Sequence, residues 1–388
     1  MAEKGKLWTF ELLGLCLVTF VAVCNVTVFY NFFNYLQTLG ISADLRGLLV
    51  GSYSLTAMVL YLLASPFLNA ANAPRTMLLG MVVVALCGGS YLFVHSFWGL
   101  LGLRMINGCG QFLMGAGAMT LFVSLIPMEK NGQAFAIYSI AILLPYGLVP
   151  AVMDALAFLI PTPPHGYAGF TVMLIPAAWI VWRIRRRRGR AGVAYQKQLP
   201  AWSDIRDNVT QLPIALLLLL NTIYIISWSS MFFLIKGFAD QKGIVNVGSF
   251  FTVLTAVMIT IRLCAGKLFD IFDKAGMVAA TFAVVALGYL ALDNLPGAWA
   301  ISLVALIFGV GMGMGQPVFH GLMFEVSAPN FRPLNANLTL CAIQAAFFLG
   351  PVLGGAIVAR WCYHGYFLFS MGLALSAGAI AVLLVGKR

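Results

Sequence analysis

The chain has 388 residues, of which 61% are hydrophobic and 9% charged, and it carries a formal net charge of +11. Soluble domains run at about 45–50% apolar and about 25% charged residues, so composition excludes a soluble domain and indicates an all-α integral membrane protein. Seven cysteines, with no CxxC pair and most of them inside apolar runs, argue against a disulfide framework or a zinc site.

A spanning helix needs roughly 20 predominantly apolar residues, and twelve candidates are legible. Six lie at about 9–37, 45–69, 76–96, 98–127, 132–160 and 167–184, and six at about 209–236, 245–268, 276–293, 297–325, 334–359 and 364–386. The first follows MAEKGK without a small-residue cleavage site and reads as a retained span. Between the two sets lies the one long polar stretch, Arg183 to Asn208, whose eight basic residues cannot lie in hydrocarbon. It is expected to be a surface loop. The domain reading is an N-terminal six-helix bundle over 1–184, a basic linker over 185–208 and a C-terminal six-helix bundle over 209–388.

With alternate loops on opposite sides, Lys4, Lys6, Arg75, Lys130, the central cluster, Lys267, Lys274, Arg332, Lys387 and Arg388 fall on one face, and only Arg46, Lys236, Lys242 and Arg360 on the other. This asymmetry places both termini in the cytoplasm of a cell inner membrane. The positive charge is therefore a topology signal, with membrane lipid as a partner of the arginine cluster and no call for nucleic acid.

The halves repeat. Gly108-Cys109-Gly110-Gln111 recurs as Gly313-Met314-Gly315-Gln316 at an offset of 205, and Ser65 to Asn69 corresponds to Gly266 to Asp270 at an offset of 201. Two pseudo-symmetric six-helix repeats are a transporter architecture, and a single chain is expected to suffice.

Gly266-Lys267-Leu268-Phe269-Asp270-Ile271-Phe272-Asp273-Lys274, preceded by Arg262, resembles the GxLxDxxx(R/K) loop signature of the major facilitator superfamily. Arg104 to Gly110 is similar to the RxxxGxG signature of that family's fourth span. Gly350-Pro351-Val352-Leu353-Gly354-Gly355 resembles the GPxxGG element of its drug:proton antiporters, although here it lies in span 11 and span 5 carries Leu144-Pro145-Tyr146-Gly147 instead. The first loop signature is degraded to Ser65 and Asn69. The resemblance implies alternating access, with spans 1, 4, 7 and 10 lining the path.

Residues three, four or seven apart share a helix face, and polar faces in a membrane should meet protein or water. On that spacing the candidate substrate-binding residues are Asn25, Asn31 and Asn34 in span 1, Arg104, Asn107 and Gln111 in span 4, Asn221, Tyr224 and Trp228 in span 7, and Gln316 and His320 in span 10. Interhelical hydrogen bonding is the alternative role for each. Arg104 and Asp154 both fall roughly 9 Å below the outer ends of neighbouring spans and are expected to neutralise each other. Asp154 and His320 are the candidate proton-coupling groups. Arg262, Asp270 and Lys274 are expected to act in a gate loop through ion pairs with neighbouring helix ends. No nucleotide-binding loop, catalytic cluster or metal cluster is present, so neither an enzyme nor a cofactor is expected. The expected function is proton-coupled efflux of small amphipathic compounds. The alternative is an uptake symporter or a facilitator for a metabolite or a siderophore-like metal chelate.

Overall fold

The computed structural model describes residues 8–41, 43–156, 158–190, 201–244, 248–264 and 271–385. Among them there are helices and turns and no strand. All twelve expected spans are apolar helical segments. Eleven are long enough to cross a bilayer, and Phe250–Cys264 is shorter.

The first span is α1 (Phe10–Thr27), a 3₁₀ turn at Val28–Asn31 and α2 (Phe32–Thr38). Then come α3 (Ala43–Ala64), α4 (Ala73–Ser90), α5 (Phe97–Val123) and α6 (Asn131–Ala155). The sixth span is broken into α7 (Pro163–Thr171) and α8 (Leu174–Arg190). A short α9 (Trp202–Val209) precedes α10 (Leu212–Gln241), α11 (Gly248–Cys264), α12 (Lys274–Asp293) and α13 (Ile301–Val326). Spans 11 and 12 run on as α14 (Arg332–Val385), divided where Trp361 and Cys362 leave helical geometry and Cys362 takes φ 54°. Helix starts are capped by side chains: Thr9 accepts from the Leu12 amide, Ser96 from Gly99 and Asp273 from Gly276.

The central polar stretch differs from its expected form. Its described part is largely helical, since α8 continues through the arginines to Arg190 and Trp202–Val209 forms a helix of its own. Arginine is a good helix former and nothing in Arg183–Arg188 breaks the turn; residues 191–200 lie outside the described set.

Contacts divide the chain into two compact units that do not follow its midpoint. The first comprises Met1–Pro127, Ala141–Arg206 and Pro329–Cys341; the second comprises Met128–Ile140, Asp207–Ala328 and Ala342–Arg388. Each unit thus incorporates one helix end from the opposite half of the sequence. In the first, Asn337 donates to Thr120 Oγ1 (2.7 Å) and Cys341 Sγ reaches the Met58 carbonyl (3.5 Å).

Within the first unit α5 is the packing centre, flanked by α3, α4 and α1. The glycines after Arg104 explain how the helices approach. A Cβ on Gly108 would stand 2.7 Å from the Tyr53 carbonyl of α3, and one on Gly110 would meet Val84 at 2.8 Å and the Gly80 carbonyl at 3.3 Å. Gly102, on the same helix, has nothing within 4 Å. Gly108→Ala is therefore expected to push α3 off α5 and lower the thermal transition by several degrees. Gly102→Ala should leave it unchanged or raise it, because alanine is about 1 kcal/mol better than glycine in a helix interior. Melting of the two purified variants checks this; equal transitions would contradict the packing role of Gly108.

Candidate functional site

The first unit holds a buried cation in an aromatic box. Arg104 on α5 is 5% exposed. Its Nε donates to the Leu49 carbonyl (3.2 Å) and its Nη2 to the Val50 carbonyl (3.0 Å), both on α3. Its Cζ lies 4.8 Å from the ring centre of Tyr53, 5.0 Å from Phe29 and 5.2 Å from Phe32. Each desolvated cation–π contact is worth up to about 2 kcal/mol, and the two carbonyl oxygens accept from two of the guanidinium's five N–H groups. These contacts offset the cost of an arginine at membrane depth, which is at least about 2.5 kcal/mol.

One turn further, Asn107 joins two buried tyrosines. Tyr167 of α7 donates to Asn107 Oδ1 (2.7 Å), and Asn107 Nδ2 donates to the Tyr91 hydroxyl (3.3 Å). The rings of Tyr91, Tyr167 and Phe29 stand 4.8–5.3 Å apart. Arg104, Asn107 and five aromatic residues, from α2, α3, α7, the 3₁₀ turn after α1 and the C-terminal end of α4, thus form one continuous polar-aromatic cluster. Gln111, a further turn along, is half-buried.

The second unit repeats the tyrosine pair without the cation. Tyr289 and Tyr366 follow Tyr91 and Tyr167 by 198 and 199 residues, and their rings meet edge-on at 6.0 Å. Here the hydroxyls engage span 7: Tyr289 donates to the Ser227 carbonyl (2.8 Å) and Tyr366 shares a 2.8 Å bond with Ser230. The four tyrosines were not among the expected site residues. A signal was available, since four aromatics at the repeat offset mark equivalent positions.

The remaining expected residues fall into three groups. Some are engaged within the fold. Tyr224 spends its hydroxyl on the Met312 carbonyl (2.7 Å), with its ring so close to Gly315 that a Cβ there would clash. Asn25 donates to the Val21 carbonyl of its own helix (2.9 Å). Gln316 and His320 bring their Nε2 atoms to 3.1 Å, and the imidazole stacks on Phe135 at 5.3 Å. Asn221 is buried on α10, while Trp228 is half-buried with its ring 5.9 Å from Phe232. A third group lies outside the described side chains: Asn31, Asn34, Asp154 and Asp270.

The gate-loop residues behave differently from one another. Lys274, at the start of α12, is 4% exposed, and its Nζ lies 2.7 Å from Glu325 Oε1 on α13. Asn131 of α6 donates to the same oxygen (3.1 Å) and to the Met128 carbonyl (3.0 Å). Among the described residues Arg262 donates to carbonyls, Gly313 at 3.3 Å and Ser139 at 2.9 Å. Arg262 is buried among helix backbones, where carbonyl oxygens supply the partial negative charge without a second ion to desolvate.

Twelve apolar helical segments, a duplicated core and buried charges satisfied by backbone define a polytopic membrane transporter. The family model of the Major Facilitator Superfamily matches residues 15–336. The chain belongs to that superfamily, a family of transporters and not of enzymes. Quinolone resistance protein NorA of Staphylococcus aureus is 21% identical over 367 residues, covering 91% of this chain and 90% of the relative. Among solved structures, a bacterial homologue of the iron transporter ferroportin superposes with a TM-score of 0.81 at 12% identity, covering 98% of this chain and 100% of that one. The proton:xylose symporter XylE gives 0.73 at 15% identity, covering 97% and 95%.

Proposed function

We propose that the protein exports small amphipathic compounds in exchange for protons, acting as a single chain in the cytoplasmic membrane with both termini inside. The observation that carries this reading is the Arg104 cluster: one cation faced by three aromatic rings, beside an asparagine and two tyrosine hydroxyls. Buried in this state and opened to the solute in another state of the cycle, this cluster would suit a flat molecule with one negative charge better than a multiply anionic one, because aromatic faces bind apolar rings and one guanidinium neutralises one charge. The likeness to a quinolone resistance protein over nine-tenths of both chains supports efflux. Coupling is assigned to Asp154, with His320 as the second titratable candidate.

The test is transport of a fluorescent quinolone, a flat ring system with one carboxylate, in proteoliposomes whose membrane potential is clamped. For one-to-one exchange, a lumen one pH unit more acidic than the bath should drive about tenfold accumulation, since tenfold corresponds to about 1.4 kcal/mol, and a protonophore should abolish it. Accumulation under the opposite gradient would replace efflux with the symport reading. Asp154→Asn should remove the response to the gradient while the quinolone still exchanges across the membrane. A full response in that variant would transfer the coupling role to His320, to be checked with His320→Gln.

A further inference from the structure

The arginines at the end of α8 do more than set topology. Leu174, Ala177, Val181 and Ile184 are buried at spacings of three and four, so one stripe of α8 packs on the protein down to the level of the arginines. At 100° per residue, Trp179, Arg183 and Arg186 lie on the opposite stripe, with Trp182 beside them. All four are exposed, Trp179 at 51% and Trp182 at 39%. Arg183 Cζ lies 5.0 Å over the Trp179 ring and Arg186 Cζ 4.4 Å over Trp182. Their neighbour Arg187 differs: it turns to α1, with Cζ 4.4 Å over Phe10 and Nη1 3.4 Å from Glu11. Arg183 and Arg186 have no ion pair to a described carboxylate.

We infer that this stripe is a binding site for the headgroup of an anionic phospholipid. Stacking on an indole face covers the flat side of each guanidinium and leaves its in-plane N–H edge directed outward, the edge that takes a phosphate bidentately. The tryptophans stand where the apolar run of α8 gives way to the arginines, within roughly 10 Å of Arg186 along the axis, and indoles favour such a boundary between hydrocarbon and water. A charge that only enforced topology could sit in any water-facing loop. Here it stands on the outward stripe of a spanning helix, stacked on interfacial tryptophans, where a headgroup phosphate and its acyl chains meet both features. The inference is independent of which solute is carried.

The full chain in nanodiscs containing brominated lipid tests it, with the signal of Trp179 and Trp182 taken as the difference from Trp179→Phe/Trp182→Phe. Brominated phosphatidylglycerol should quench that signal at a roughly thirtyfold lower mole fraction than brominated phosphatidylcholine, the effect of two arginines at about 1 kcal/mol each near an anionic surface. Arg183→Gln/Arg186→Gln should bring the two lipids together, and Arg183→Lys/Arg186→Lys should keep most of the preference. Equal quenching by both lipids in the unmodified protein would overturn the site. So would an undiminished preference in a glutamine variant whose thermal transition is intact. If inorganic phosphate at 50 mM erased the preference, the site would be one for free phosphate and the lipid assignment would fail.

Discussion

Arg104→Ala is expected to abolish quinolone transport, reducing flux at least about 100-fold while the protein remains folded enough to purify. The substitution empties a box in which three rings and two carbonyls face one guanidinium. The two charged hydrogen bonds, at about 1.5–3 kcal/mol each, and the cation–π contacts bear on stability, whereas a 100-fold loss of flux corresponds to a transport barrier raised by about 2.7 kcal/mol, the effect of removing the charge that meets the solute. The informative comparison is Arg104→Lys. Lysine restores the charge but is a point donor without the planar fork, so it cannot span Leu49 and Val50 while covering the three rings. Its thermal transition should recover substantially while transport stays below about a tenth of normal. Should lysine restore both alike, Arg104 would be a structural charge and the proposal for the cluster would lose its main support. Phe29→Leu and Tyr53→Phe refine the test, since the first removes a ring and the second only a hydroxyl.

The second large effect concerns Glu325. Removing it by Glu325→Ala leaves Lys274, 4% exposed, without its carboxylate, whereas Lys274→Met leaves a glutamate that is 26% exposed and still bonded to Asn131. Breaking a buried pair from one side costs about 3–5 kcal/mol because an uncompensated charge remains. Lys274 also stands in the first turn of α12, where the helix dipole disfavours a cation. Glu325→Ala should therefore destabilise the protein much more than Lys274→Met. The double variant should lie nearer to Lys274→Met than to the sum of the singles. Thermal transitions of the three variants form the double-mutant cycle; strictly additive effects would show that the pair does not couple. Asn131→Ala should cost less than either loss of charge, about 1 kcal/mol for one hydrogen bond. Asn131 comes from the first half of the sequence and Glu325 from the second, so this network ties a helix end to the unit it joins by contact.

Much of the molecule was legible in one dimension. The number and order of the spans follow from hydropathy, a property that each segment carries by itself: a run of about 20 apolar residues must leave water whatever its neighbours are. Arg104 was identifiable for the same reason, since a charge within such a run demands a partner. The repeat, visible as Gly108-Cys109-Gly110-Gln111 and Gly313-Met314-Gly315-Gln316, carried the family and with it the class of function.

Partners were a different matter. Phe29, Phe32 and Tyr53 read in the sequence as aromatics in apolar runs, and nothing local separates an aromatic that encloses a cation from one that faces lipid. Tyr224 looked like a free donor on a polar stripe, yet its hydroxyl is taken by the Met312 carbonyl, 88 residues away. Arg262 reaches two helix carbonyls, one in α13 and one in α6, 51 and 123 residues away. Asn131 and Glu325 stand 194 residues apart. The basic stretch reads as a loop because its charge bars it from hydrocarbon, whereas arginine is a good helix former and α8 continues through it to Arg190.

What the sequence determined by itself was which segments enter the membrane, how many there are, that they are duplicated, and which charges must be accommodated. Only the tertiary structure decided how each charge is satisfied and which polar side chains are already spent. Burial is a sum over one segment, but a hydrogen bond or a ring contact is a coincidence of two segments in space, and helix packing alone selects which two meet.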